Sequence, residues 1–456
     1  MGFDSIFFLC CFLPAVLALY FLIPKGKNTV LLLLGLVFYA FGSISALALL
    51  LLAAVVNYGF GLLLRGEKHR KAVVAAGVAF DLVYLFLFKY LNFVCSGILG
   101  LPNVSLGLAA PLGMSFFLFK GISYLVDAYR DPETATKRFD RFLLYLSFFP
   151  QVTAGPISRF RDFGPQLLDR KSDLQTVTQG LRRFLLGLSK KVLLCAPLAT
   201  LADGVFGAEV LDARLAWLGA VSYMLQIYFD FSGYSDMAIG LGNILGFTTP
   251  ENFNYPYVAC SIGDFWRRWH ISLSSWFKDY LYIPLGGNRK GKWVAGLNKA
   301  IVFTLCGLWH GSAWTFLLWG LWHGLLSALE SFGIIRLKNA RGAKKVLGHI
   351  YTLLAVCLGF VMFRAATVSQ GFGIIGAMFA GFSFTESATV LLHSLLNGYT
   401  GSMLVLSAVL TVPLGRKFQS SKVLDNFSYA ALLLLFVLCL MKLASGGFAP
   451  FIYAQF

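Results

Sequence analysis

The chain is a succession of apolar runs, each close to the length that crosses a lipid bilayer. Ser5 to Ile23, Ile44 to Leu64, Ala72 to Val94, Gly348 to Phe363, Val390 to Leu410 and Phe427 to Leu440 carry few charged side chains. About 20 apolar residues span a hydrocarbon core of about 30 Å. Of the 456 residues, 58% are hydrophobic and 13% charged, and the mean hydropathy is +0.73, more apolar surface than a water-soluble core can hide. Backbone N–H and C=O groups find no water in lipid, so a spanning segment must be a helix or part of a closed barrel, and the alternation of barrel strands is absent. The predicted fold class is all-α: a polytopic integral membrane protein with about 10–12 transmembrane helices. No linker, charge run or repeat of about 20–50 residues divides the chain, so a single membrane domain over residues 1–456 is expected.

The net charge of +17 invites a nucleic-acid reading, but the positive residues are spread among short loops: Lys25 and Lys27, Arg65–Lys71, Lys137–Arg141, Arg289–Lys299, Arg336–Lys345 and Arg416–Lys422. Gly42–Ser45 and Ser96–Ala110, lying between them, contain no Lys or Arg. This is the positive-inside pattern of a protein whose partner is the lipid bilayer; no nucleic-acid partner is expected. Met1 to Ser5, where the first run begins, carry no positive charge, and Lys25 and Lys27 follow the run, which predicts an uncleaved signal-anchor with its N-terminus outside. Ile6 stands where a myristoylation motif needs Ser or Thr.

Two stretches depart from simple spans. Phe142–Ile157 is apolar but bracketed by basic loops and interrupted by Pro150, Gly155 and Pro156, which predicts a re-entrant segment. Ile262–Leu285 mixes Trp266, Trp269, Phe277 and Tyr280 with Arg267, Arg268, Lys278 and Asp279, which predicts an amphipathic helix at the interface or dipping into the protein. The eight cysteines show no C-x-x-C spacing, and structural burial outweighs metal or disulfide roles; no metal is expected. Gly286 to Lys292 imitates a phosphate loop, but Trp293 replaces the metal-binding hydroxyl and no strand precedes it. The zinc-protease and hydrolase signatures H-E-x-x-H and G-x-S-x-G are also missing.

Ionisable groups at membrane depth are functional candidates by default. His69 lies in a charged loop, and His349 and His393 read as hydrogen-bonded helix residues, whereas His270, His310 and His323 fall in the densest aromatic and Gly-rich part of the chain. On one straight helix from Gly307 to Leu329, His310 and His323 would stand about 19 Å apart and roughly 200° or more around the axis, so they could not share a site. His310 then needs its partner elsewhere, and His270 is the natural candidate. A buried neutral imidazole suits a general base acting on a hydroxyl or thiol. Asp230 and Asp236 weigh more as structural salt bridges or caps than as catalysts, and His323 as structural support or tunnel lining.

Four blocks carry a family resemblance: Phe148 to Phe160 (FFPQVTAGPISRF), Tyr228 to Asp236 (YFDFSGYSD), Phe265 to Arg289 (FWRRWHISLSSWFKDYLYIPLGGNR) and Leu308 to Gly311 (LWHG). They resemble the membrane-bound O-acyltransferase (MBOAT) family, in its alginate O-acetyltransferase branch, with a catalytic core at about residues 110–330. The resemblance implies re-entrant and interfacial helices around a central tunnel, in which a cytoplasmic acyl donor meets an acceptor from outside. A broken helix around Gly307 and Gly311 would suit that tunnel. Carried onto this chain, His310 is the general base and His270 the second polar catalytic group. The resemblance further implies an acyl thioester donor, acetyl-coenzyme A by analogy, with no permanently bound cofactor. Arg267, Arg268, Arg289 and Lys290 are weak candidates for donor phosphates. It also implies a bacterial inner (cytoplasmic) membrane location, an extracytoplasmic esterase-like partner and polysaccharide export machinery. D-alanyl or other acyl transfer to a cell-wall polymer, and a transporter or flippase, are the competing readings.

Overall fold

The computed structural model describes residues 2–101, 110–337, 340–413 and 422–446. Among them every regular element is helical. The named helices are α1 Lys27–Ala40, α2 Ile44–Leu64, α3 Arg70–Leu85, α4 Met114–Arg130, α5 Phe139–Ser147, α6 Leu174–Ser189, α7 Ala213–Ile244, α8 Gly291–His310, α9 Trp314–Phe332 and α10 Gly342–Arg364. Among the described residues four segments are long and apolar enough to cross a membrane: Ile44–Leu64, Arg70–Tyr90, Leu174–Phe206 and Gly342–Arg364. Five other apolar helices, among them Phe8–Leu22 and Gly398–Leu410, have only 10–17 residues.

The chain forms two compact units. The first holds the described residues up to Gly187 together with Tyr234–Glu251. In it α2, α3 and α4 pack side by side, joined at membrane depth by a side-chain amide. Asn57 Nδ2 donates to Asp81 Oδ1 at 2.8 Å, both groups being buried. The predicted re-entrant stretch is α5 followed by turns through residues 148–155, and every residue from 142 to 158 is buried. Non-helical backbone is tolerated at depth when protein surrounds it and meets its polar groups. Here Lys120 Nζ donates to Tyr145 O at 2.7 Å, where the helix is ending, and Tyr145 Oη donates to Ser158 O at 2.9 Å.

The second unit holds Leu188–Gly233 and the described residues from Asn252 onward. Its centre is the antiparallel hairpin of α8 and α9, with α10 against α9. The hairpin backbones approach closely at Gly307 and Gly320, where a Cβ on Gly320 would lie 2.5 Å from Phe303 O and 3.1 Å from Gly307 Cα. Small residues are what allow such contact between membrane helices.

Several sequence expectations are corrected. Gly307–Leu329 is not one helix: α8 stops at His310, Gly311 to Ala313 turn the chain, and α9 runs back. The break therefore follows His310, and Gly307 lies inside α8, where its role is packing. Ile262–Leu285 is not one amphipathic helix: Ile262–Trp266 is separated at Arg267–His270 from Ile271–Phe277, which runs on as a wider helical turn over Lys278–Tyr282. Val390–Leu410 is likewise broken, because Asn397 caps a new helix with a capping box to Thr400. Burial holds for Cys195, Cys306, Cys357 and Cys439, whereas Cys10 and Cys11 are exposed. Residues 102–109 of the uncharged Ser96–Ala110 stretch, and all of the basic Arg416–Lys422 stretch except the backbone of its last residue, lie outside the described residues.

Candidate active site

His310 is the last residue of α8 and 4% exposed. Its ring packs edge-on against Trp319 and Phe363, with centroids 5.1 and 5.3 Å away. At the C-terminal end of a 20-residue helix it also meets the negative end of the macrodipole, where a forming positive charge is favoured by about 0.3–2 kcal/mol.

His270 reaches the same neighbourhood from the break in the 262–277 segment. Its backbone adopts φ 46°, ψ 54°, the left-handed conformation that costs a residue with a Cβ about 1–2 kcal/mol. Such strain persists where surrounding bonds fix it and is characteristic of functional positions. Asn252 supplies those bonds: its backbone O accepts from Ile271 N at 3.0 Å, and its Oδ1 accepts from Ser272 N, Ser272 Oγ and His270 Nδ1 at 3.2, 2.9 and 3.1 Å. A backbone N–H can only donate, so the shared Asn252 atom is the oxygen and Nδ1 is the protonated nitrogen. In the neutral ring this leaves the lone pair on Nε2. Burial pushes the His270 imidazole down to about 3, so the neutral form holds at physiological pH. The His270 and His310 rings both meet the Trp309 indole, at 6.2 and 4.9 Å between centroids.

A cavity of about 390 Å³ lies between the 262–282 segment and the α8–α9 hairpin. Its exposed end carries Arg267, Lys278, Lys299 and Glu330, and its walls include Trp266, Ile271, Phe303, Cys306 and Ser327. Lys299, Phe303 and Cys306 are spaced by four and three residues on one face of α8. His310, four further on, continues that face one turn beyond Cys306. Ile271 follows His270 directly in sequence, and neither histidine is itself among the residues that line the cavity. Glu330 fixes the segment that forms the opposite wall, accepting from Ile262 N at 2.7 Å and Gly263 N at 3.0 Å.

Only Arg267 of the four expected phosphate candidates lines the cavity. Arg268 is held by Asp264 Oδ2 at 3.1 Å and Asn254 O at 3.3 Å. Arg289 and Lys290 lie in the turn before α8 and are absent from the cavity wall. Asp230 pairs with Lys191, both side chains 1% exposed, and Asp236 accepts from Arg183 Nε and Nη2 at 3.0 and 2.8 Å. Both carboxylates are thus in salt bridges. Asp230 also precedes Phe231, whose ring stands edge-on to His270 at 4.6 Å. His323 is fully buried on α9, 5.1 Å between centroids from Trp319, the same indole that meets His310. The hairpin turn therefore brings together two histidines that a straight helix would have separated.

The family model for the membrane-bound O-acyltransferases matches residues 33–365, across both histidines and the cavity. The chain belongs to the membrane-bound O-acyltransferase family. It is 38% identical to a probable alginate O-acetylase AlgI of Azotobacter vinelandii over the whole of both chains. A peptidoglycan O-acetyltransferase of Helicobacter pylori is 35% identical over 82% of this chain and 79% of that one. A teichoic acid D-alanyltransferase of Bacillus subtilis is 31% identical over 44% of this chain and 54% of that one. This MBOAT protein is a multi-pass membrane acyltransferase of the AlgI-like branch.

Asn252, Lys278, Lys299, Ser327 and Glu330 escaped the sequence reading of this MBOAT site. Asn252 lies in Pro250-Glu-Asn-Phe-Asn-Tyr-Pro256, a run whose only sequence signal is that of a turn. The two lysines looked like ordinary basic residues near a membrane surface.

Proposed function

We propose that the protein moves an acetyl group from a cytoplasmic thioester, acetyl-coenzyme A, to the hydroxyl groups of an exported polysaccharide such as alginate. The observation that carries the reading is a cavity lined by Arg267, Lys278 and Lys299, whose wall residues Cys306 and Ile271 stand one helical turn before the buried His310 and next in sequence to the buried His270. The basic loop before α8 supports a cytoplasmic position for the exposed end of the cavity by the positive-inside pattern. There Arg267, Lys278 and Lys299 match the phosphates of the donor, while the apolar walls suit its extended arm and exclude water.

The thioester carbonyl comes to rest beyond Cys306. His310 takes the proton of the acceptor hydroxyl as its oxygen attacks the carbonyl carbon, and the C–S bond then breaks to release the thiol. The carbonyl end of α8 stabilises the imidazolium that forms. His270, with its tautomer set by Asn252, is the second polar group at the reacting centre. In this reading the enzyme lies in the bacterial inner membrane and works with an extracytoplasmic esterase-like acetyltransferase and the export machinery.

The test compares wild type with His310→Ala at equal membrane levels, reading ester-linked acetate on the exported polysaccharide and thiol release from acetyl-coenzyme A in inverted membranes. Loss of about 100-fold or more is expected; unchanged acetate would sink the general-base assignment. Ester-linked D-alanine in place of acetate would move the protein to the D-alanyl reading. Solute passage that does not depend on His310 would favour a transporter.

A further inference from the structure

His323 is 0% exposed, yet neither of its ring nitrogens has a hydrogen-bond partner. Trp266 Nε1, Trp319 Nε1 and Ser327 Oγ share that condition, in residues 8%, 1% and 4% exposed. These groups form one cluster. The two indoles stand edge-on to the imidazole, each 5.1 Å away between centroids at 88° and 65°, and Ser327 is one turn from His323 on α9. Folded proteins leave few buried polar atoms unsatisfied, and five gathered around one imidazole call for a ligand that both donates and accepts. Water does both, and a buried water takes two to four polar partners.

Gly359 of α10 lets the imidazole pack directly on that helix's backbone, and a Cβ there would come within 2.7 Å of His323 Nε2. The cluster also has two ends. Trp266 and Ser327 line the cavity assigned to the donor, whereas Trp319 packs edge-on against His310 at 5.1 Å and 87°. On α9, Glu330, Ser327, His323 and Trp319 follow one another at spacings of three and four residues, so a single helix face runs from the cavity mouth to His310.

We infer that His323, with Trp266, Trp319 and Ser327, holds water beside the donor cavity and relays a proton between His310 and the sulfur that departs through that cavity. The inference rests on the reading of the cavity as the thioester site. During transfer a bond forms between the acceptor oxygen and the acyl carbon and the C–S bond breaks. The acceptor's proton passes to His310, through water to one nitrogen of His323, and from the other nitrogen through water to the leaving sulfur. One proton moves from oxygen to sulfur, His323 ends neutral as it began, and no co-reactant is consumed. Having both nitrogens clear of protein partners is what a through-ring transfer requires. His323 is a relay and positioning residue; its ring need not touch the acyl group.

The experiment uses the full-length protein in inverted membranes with acetyl-coenzyme A as probe, following thiol release in H₂O and D₂O, beside ester-linked acetate on polysaccharide exported by cells. His323→Phe keeps a flat ring and removes both nitrogens. It is expected to lower kcat by about 100-fold with the KM for acetyl-coenzyme A within about twofold of wild type, and to enlarge the solvent isotope effect. His323→Gln, which can still bind water, recovers part of the loss. Ser327→Ala lowers kcat in the same direction, and it decides the matter if His323→Phe fails to reach the membrane. A kcat within about twofold of wild type in the assayable variant overturns the relay. So does a rise in KM with an unaltered isotope effect, which marks a packing role. His310→Ala separates the two levels: if it abolishes turnover while His323→Phe does not, the relay falls and the site reading stands, whereas turnover without His310 removes both.

Discussion

Removing the Asn252 side chain tests whether the strained His270 backbone and its tautomer are held as the hydrogen bonds imply. Asn252→Ala strands two buried donors, Ser272 N–H and His270 Nδ1–H, since Ser272 Oγ can rotate toward another acceptor. Each stranded donor costs about 1–3 kcal/mol, so a loss of about 2–6 kcal/mol is expected before the site relaxes. The left-handed His270 then loses the bonds that offset its strain. Melting in detergent, followed by the fraction of protein remaining monodisperse after heating, should show the loss, and thioester turnover should fall by at least about tenfold from the disordered tautomer. Asn252→Asp retains an oxygen acceptor and should melt closer to wild type than the alanine variant. Its carboxylate, however, favours the imidazolium and raises His270 from about 3, so turnover that needs the neutral ring should fall as pH is lowered through the new value. Wild-type melting and turnover in Asn252→Ala, together with an unshifted acid limb in Asn252→Asp, would refute the reasoning.

Lys191→Ala leaves the Asp230 carboxylate buried without its cation and should cost about 3–5 kcal/mol, whereas the double change Lys191→Met with Asp230→Leu should recover much of it in the same melting assay. Gly320→Ala places a Cβ 2.5 Å from Phe303 O and forces α8 from α9, with about 1–3 kcal/mol lost and turnover reduced through the displaced His310; wild-type melting would show that the hairpin can yield there. Asp212 caps α7 by accepting from Leu215 N at 3.0 Å. Burial acts to raise its carboxyl, but Arg214 and the cap outweigh it and hold the group below the ordinary carboxylate range. Its contribution should therefore be complete above about pH 4 and fade as the pH falls below that, and Asp212→Ala, about 1 kcal/mol less stable at neutral pH, should lose that part of the acid dependence.

The all-helical membrane fold was legible in the sequence because it follows from local constraints. An apolar run in lipid must close its own backbone hydrogen bonds, so Ile44–Leu64 emerges as a helix with those bounds, and Pro150 with Gly155 forbids continuous helix through Phe142–Ile157. The family blocks likewise marked His270 and His310 before any geometry was known. What the sequence could not decide was where helices stop and which faces then meet. The sequence suggests a break around Gly307 and Gly311, but packing of Gly307 against Gly320 folds α8 back onto α9 and turns a 13-residue separation into a shared contact with Trp319. Asn252 precedes His270 by 18 residues, and no periodicity links an amide in a turn to the tautomer of a distant imidazole. Local hydrogen bonding and hydropathy are written residue by residue, whereas the cavity beside α8, the His270 clamp and the His323 cluster exist only because separate segments pack against one another.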